Sequence, residues 1–144
     1  MNVLFDANIF ISYLLSSRDD TSVRAVVRAT FVGELKLLIP HEVIEEMGQK
    51  LVRKSYLSEH VTVANASILV ETLKEIGVIL PPIDREIPKI SRDIKDDYLI
   101  AYAIVNDADY IVTGDKDLLD LKHVEKVSIC TATQLLAELS DAEE

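Results

Sequence analysis

The sequence predicts an α/β protein with a central, mostly parallel β-sheet and helices on both faces, a three-layer α/β/α sandwich. Short apolar, β-prone runs alternate with helically patterned segments along the whole chain, as successive βαβ units require. The 144 residues hold no internal repeat, linker or low-complexity tract, so residues 1–144 are expected to form one domain. With 49% hydrophobic and 28% charged residues, a chain of this size can build a core without covalent staples. Its one cysteine, Cys130, excludes a disulfide framework and a multi-cysteine zinc site.

The elements follow in order. Met1 to Phe5 is a buried strand stopped by Asp6, and Asn8 to Ser16 is a helix with Ile9, Phe10, Tyr13 and Leu14 on one stripe. After a polar break, Thr21 can cap a second helix carrying Val23, Val26, Val27, Thr30 and Phe31, which Gly33 ends. Leu35 to Ile39 is the next strand, and Pro40 opens a helix from His41 to about Lys54 with Val43, Met47 and Leu51 inward. A fourth helix after Ser58 carries Val61, Ala64, Ile68, Val70 and Leu73 as far as Gly77. Val78 to Leu80 is a strand closed by Pro81-Pro82, and the polar stretch from Ile83 to Lys95 is expected to be the longest loop. Asp96 to Asn106 is a helix, Asp109 to Thr113 a strand, Gly114 a turn and Lys116 to Asp120 a helical turn. Lys126 to Cys130 is the last strand, and Thr131 caps a final helix through Leu139.

Fifteen Lys and Arg against twenty-five Asp and Glu give a formal net charge of −10, a poor balance for holding nucleic acid by bulk electrostatics. The chain opens without the basic start of a secretory signal, and no apolar run approaches the ~18–20 residues of a bilayer span. A soluble, cytoplasmic protein with no membrane partner is the expectation.

The acids recur at strand and helix ends. Asp6-Ala7-Asn8 follows the first strand, where a helix cap is the ordinary reading and a metal ligand the sharper one. Glu42, Glu45 and Glu46 open the third helix, where early acids also suit the helix dipole; Glu46 adjoins the core stripe through Met47 and is best placed to point inward. Asp96 shares a stripe with Leu99, Ile100 and Ala103, and Asp97 one with Ile100, Ala101 and Ile104, so either can edge the buried face, the other capping. Asp115 and Asp117 lie in the turn after Ile111-Val112-Thr113-Gly114. In a parallel sheet these termini share one edge, where ligands bind. Carboxylates gathered there repel at ~1–4 kcal/mol per close pair, so they need raised pKa values or a divalent cation. Oxygen donors without His or Cys favour Mg²⁺ or Mn²⁺ over zinc.

These residues bring the chain close to a known family. Val3-Leu4-Phe5-Asp6-Ala7-Asn8, Ile39-Pro40-His41-Glu42 to Leu51, Asp96-Asp97-Tyr98-Leu99-Ile100-Ala101-Tyr102-Ala103, and Ala108 to Leu119 with its Thr113-Gly114-Asp115-Lys116-Asp117 core resemble, in order and spacing, a PIN-domain ribonuclease. The resemblance is particularly to small prokaryotic stand-alone PIN proteins, often toxins of toxin–antitoxin pairs. The resemblance implies a PIN-like fold and a metal-dependent endoribonuclease whose catalytic and metal-binding acids are Asp6, Glu46, Asp96 and Asp115. It gives Asn8 and Thr113 supporting hydrogen bonds, with Asp97 the rival of Asp96, Glu45 the rival of Glu46, and Asp117 an assistant. RNA is the implied substrate, Mg²⁺ or Mn²⁺ the cofactor, and an antitoxin protein and a homodimer the implied partners.

Two bound divalent ions would leave a net charge of about −6, and local basic groups would grip RNA. Arg24 with Arg28, Lys50 with Arg53 and Lys54, and Arg85, Lys89, Arg92 and Lys95 are the candidates, each group equally readable as a solvated, ion-paired face. Tyr56 and Tyr98 are candidates for base stacking, whereas Tyr102 and Cys130 read as core residues. His41, His60 and His123 are scattered, which suits surface positions. Two other readings stay open: a PIN-like nuclease of RNA processing or structured DNA, and a non-catalytic α/β module binding nucleic acid or protein, whose acids are merely caps. No Gly-rich phosphate loop supports a nucleotide-binding protein.

Overall fold

A computed structural model describes residues 1–15, 21–53, 63–84 and 94–143. Its elements in chain order are β1 (Asn2–Phe5), α1 (Ala7–Leu15), α2 (Thr21–Phe31), β2 (Lys36–Pro40), α3 (His41–Arg53), α4 (Val63–Ile76) and β3 (Val78–Leu80). They continue with α5 (Ile94–Val105), β4 (Tyr110–Val112), α6 (Lys116–Leu119), β5 (His123–Val124), β6 (Val127–Cys130) and α7 (Ala132–Glu143). The six strands form one sheet in the order β3-β2-β1-β4-β6-β5, parallel except for the β5–β6 hairpin.

The apolar composition of β1, β2 and β4 dictates their central place. Val3, Leu4, Phe5, Leu37, Leu38, Ile39, Ile111 and Val112 are all buried, as strands covered on both faces must be. From β1 the chain steps outward to β2 and β3, and β4 then lies on the opposite side of β1. Right-handed crossovers put the helices of the two halves on opposite faces of the sheet and open a crevice at the reversal, beyond the carboxyl ends of β1 and β4.

Most of the expected core is in place. On α2, Val23, Val26, Val27 and Thr30 are buried, and the Thr30 hydroxyl is satisfied by donating to the Val27 carbonyl at 2.6 Å. Gly33 ends that helix with φ +84, a conformation in which any side chain is strained. Thr131 caps α7 reciprocally with Gln134: its Oγ1 accepts from the Gln134 N–H at 3.1 Å, and its own N–H donates to Gln134 Oε1 at 2.8 Å. Tyr102 and Cys130 are buried as expected.

Two expectations are corrected, and the sheet edges hold features the sequence reading did not foresee. The stripe of α4 runs through Leu69, Leu73 and Ile76, and Ile68 is 64% exposed, because one residue along a helix turns the side chain by about 100°. The helix carrying Asp96 and Asp97 begins at Ile94, so both acids lie inside its first turn and neither is its cap. The hairpin strand β5 had no forecast: its turn at Glu125, with φ 52, is made without glycine or asparagine. Leu80 is buried, while Val78 and Ile79 are exposed on the edge strand. The side chains of Lys50, Arg53 and Lys95, and the residues Lys54, Tyr56, His60, Arg85, Lys89 and Arg92, lie outside the described residues. No helix among the described residues is long and apolar enough to cross a membrane.

Candidate active site

Asp6 is the first residue past β1, and its backbone N–H still donates to the Val112 carbonyl at 3.0 Å, which pins it to β4. Its two carboxylate oxygens are both engaged: Oδ1 accepts from the Asn8 N–H at 3.2 Å and Oδ2 from the Thr113 hydroxyl at 3.0 Å. The cap reading and the site reading are therefore compatible for this residue. Thr113 is fully buried, and its Oγ1 also accepts from the Asp115 N–H at 3.0 Å. One hydroxyl thus ties the acid after β1 to the acid after β4.

Asp115 in turn caps α6, its Oδ1 accepting from the Asp117 N–H at 3.0 Å. On α3, Glu42 and Glu46 stand one turn apart, while the exposed Glu45 pairs with His41 at 2.8 Å. α5 supplies Asp96 and Asp97, both buried, and further along it Tyr98 and Tyr102.

These residues converge. A single cleft of about 460 Å³ is lined by Asp6, Asn8, Glu42, Glu46, Asp96 and Asp115, with Glu45, Tyr98 and Tyr102 on its walls. It lies at the carboxyl edge of the sheet, where the reversal of strand order places a ligand crevice. All four acids chosen from the sequence reach it. Asp97, Thr113 and Asp117 do not line it: Asp97 is 4% exposed, Thr113 is fully buried, and Asp117 contributes its backbone N–H to Asp115. Tyr98 lines the cleft and is exposed.

Two lining groups escaped the sequence reading. Glu42 passed for dipole-complementing charge, and Tyr102 for a purely apolar contact. The hydroxyl of Tyr102 and the Oε2 of Glu42 are both buried without a hydrogen-bond partner. Burial, and then the Glu42 carboxylate facing it, push the Tyr102 pKa up to about 12. Elsewhere, burial pushes the Cys130 thiol up to about 11, which suits an inert core residue.

The donor chemistry suits a hard divalent cation: carboxylate oxygens from four elements, with no sulfur, facing one cleft. The unpartnered Glu42 oxygen is a further point that a cation would satisfy. Among the described residues no group of three or more His, Cys, Asp or Glu side chains stands ready-made around a metal position.

A parallel α/β sheet with acids beyond the ends of β1, β2 and β4 and on a following helix defines the class of a nuclease fold. A family model for the PIN domain matches residues 2–117, and the chain belongs to that family. PIN domains are generally nucleases and typically use divalent metals. No curated protein matches the chain.

Proposed function

We propose that this protein is a metal-dependent endoribonuclease that hydrolyses RNA phosphodiester bonds. The observation that supports it most is the lining of one cleft by Asp6, Glu46, Asp96 and Asp115 from four separate parts of the chain. In this reading the four acids hold Mg²⁺ or Mn²⁺, which would supply Lewis acidity toward the phosphate oxygens and activate water. Thr113 holds Asp6 and the Asp115 backbone in register, and Asn8 fixes the second Asp6 oxygen through its backbone N–H. Tyr98 offers a ring to an unstacked base. Cleavage needs no side-chain nucleophile.

The finer reading makes the chain a cytoplasmic toxin that a partner protein silences by covering the cleft, with the exposed Val78 and Ile79 edge open to a second copy. The competing reading is a non-catalytic binding module. It draws on the cap hydrogen bonds of Asp6 and Asp115 and on the lack of a ready-made metal group among the described residues.

Incubation of the full chain with a mixed RNA pool and Mn²⁺, beside the Asp6→Asn variant, tests the proposal. Cleavage by the parent chain alone, together with a rise in its melting temperature by mass action, is the expected result. A melting curve indifferent to millimolar Mn²⁺ and intact RNA would hand the case to the binding module. An antitoxin-like partner would be a small protein encoded beside this one that binds the chain and blocks that cleavage.

A further inference from the structure

Glu42 and Tyr102 remain once Asp6, Glu46, Asp96 and Asp115 have roles. Both line the cleft, one from the first turn of α3 and the other from the middle of α5. Tyr102 is 1% exposed, its ring fixed in the core, so its hydroxyl has little freedom to find water. Glu42 Oε2 is closed off from solvent as well, and neither atom makes a hydrogen bond of full geometry. The Glu42 carboxylate acts on the Tyr102 hydroxyl as a hydrogen-bond acceptor and by its charge, although no hydrogen bond of full geometry joins them.

A buried anionic oxygen without a partner is costlier than a neutral one, because the charge has lost its hydration. Two remedies are at hand here. A cation in the cleft neutralises the carboxylate, and a small rotation brings Oε2 onto the Tyr102 hydroxyl. The two are compatible, since a carboxylate has two oxygens. Glu46, one turn on, lines the same cleft, so Glu42 is placed beside the acids already assigned.

We propose that Glu42 is a fifth acid of the cation site and that Tyr102 is its positioning residue, the hydroxyl holding Oε2 so that Oε1 is presented to the cation. The inference rests on the metal-dependent reading above. Partners standing behind metal-ligating groups typically change metal affinity by about 10–100-fold when removed, which sets the size of effect to look for.

The test is Mn²⁺ binding to the full chain, by calorimetry and by thermal shift, for the parent, Glu42→Gln, Tyr102→Phe and the double variant. Glu42→Gln and Tyr102→Phe should each weaken Mn²⁺ by about tenfold or more. On the Glu42→Gln background Tyr102→Phe should add less than about twofold, because the hydroxyl acts through that carboxylate. Unchanged affinity in Glu42→Gln, or equal losses from Tyr102→Phe on both backgrounds, overturns the inference and leaves the nuclease reading standing. So does a Tyr102→Phe chain that melts lower without metal yet binds Mn²⁺ normally, which marks a structural hydroxyl. A parent chain that binds no Mn²⁺ fells the metal-dependent reading and this inference together. Should Glu42→Gln not fold, Tyr102→Phe keeps the ring and decides alone.

Discussion

Replacing Thr113 with valine keeps the volume and removes one oxygen from a position where it serves two acids. The Thr113 hydroxyl donates to Asp6 Oδ2 and accepts from the Asp115 N–H, both at 3.0 Å, and the residue is fully buried. Losing a hydrogen bond to a charged group costs about 1.5–3 kcal/mol, and an N–H left without its partner about 1–3 kcal/mol more. The new methyl returns up to about 1 kcal/mol of apolar burial. A net loss of about 1.5–6 kcal/mol is therefore expected, roughly 5–20 °C in melting temperature for a chain of this size. Urea denaturation near neutral pH measures it, with Thr113→Ser as the control that keeps the oxygen. Serine should lose only the methyl contribution, about 1 kcal/mol. If valine and parent agree within about 0.5 kcal/mol, the hydroxyl bridge between β1 and β4 has no energetic weight. The same variant should also cut slowly, because Asp6 loses one of the contacts that aim it.

Other outcomes follow from the same geometry. A methyl at Gly77 would stand 2.5 Å from Ile39 Cδ1 and 2.9 Å from the Leu73 carbonyl, so Gly77→Ala should destabilise by about 1–3 kcal/mol in the same urea assay. Glu46→Gln and Asp96→Asn should lower RNA cleavage by about a hundredfold or more, while Glu45→Gln, at an exposed ion pair with His41, should stay within about threefold; equal effects at both positions would dissolve the assignment. On alkaline titration the native chain holds three protons more tightly than the unfolded one, those of Cys130, Tyr110 and Tyr102, the last pushed up to about 12 by burial first. The Cys130 thiol is pushed up to about 11, by burial first, and Tyr110 up to about 12, by its hydrogen bond to Glu138 first, from ordinary values of 9.0 and 10.0. Between these limits the unfolded state binds fewer protons, so stability is complete below pH ~9 and falls as the pH rises toward ~12. Urea midpoints across that range should decline, and Tyr110→Phe should make the upper part shallower, Tyr102 still contributing there; a level profile would contradict all three shifts.

Most of the architecture was legible because its signals are local. A strand ends where an apolar run meets a polar residue, as at Phe5-Asp6 and at Val112-Thr113, and a helix starts where Thr131 can trade hydrogen bonds with Gln134. The alternation of such runs implies a parallel sheet, and a parallel sheet sends the residues after its strands to one edge. Asp6 and Asp115 were therefore placed at the cleft by topology alone. The Glu125 hairpin turn escaped notice because nothing in its composition marks it.

Rotation about the helix axes was decided elsewhere. Neighbours on a helix point about 100° apart, so choosing Glu46 over Glu45, or Asp96 over Asp97, depends on how α3 and α5 are turned against the sheet. That turning is set by the packing of Met47, Leu99, Ile100 and Ala103 with the rest of the core. It also swung Ile68 outward and brought the hydroxyl of Tyr102 to the cleft wall beside Glu42. The sequence by itself determined which elements exist and which edge of the sheet carries the acids, since both follow from short-range chemistry. Only the tertiary structure decided which carboxylates face one another, because that is a property of packed surfaces and not of any one segment.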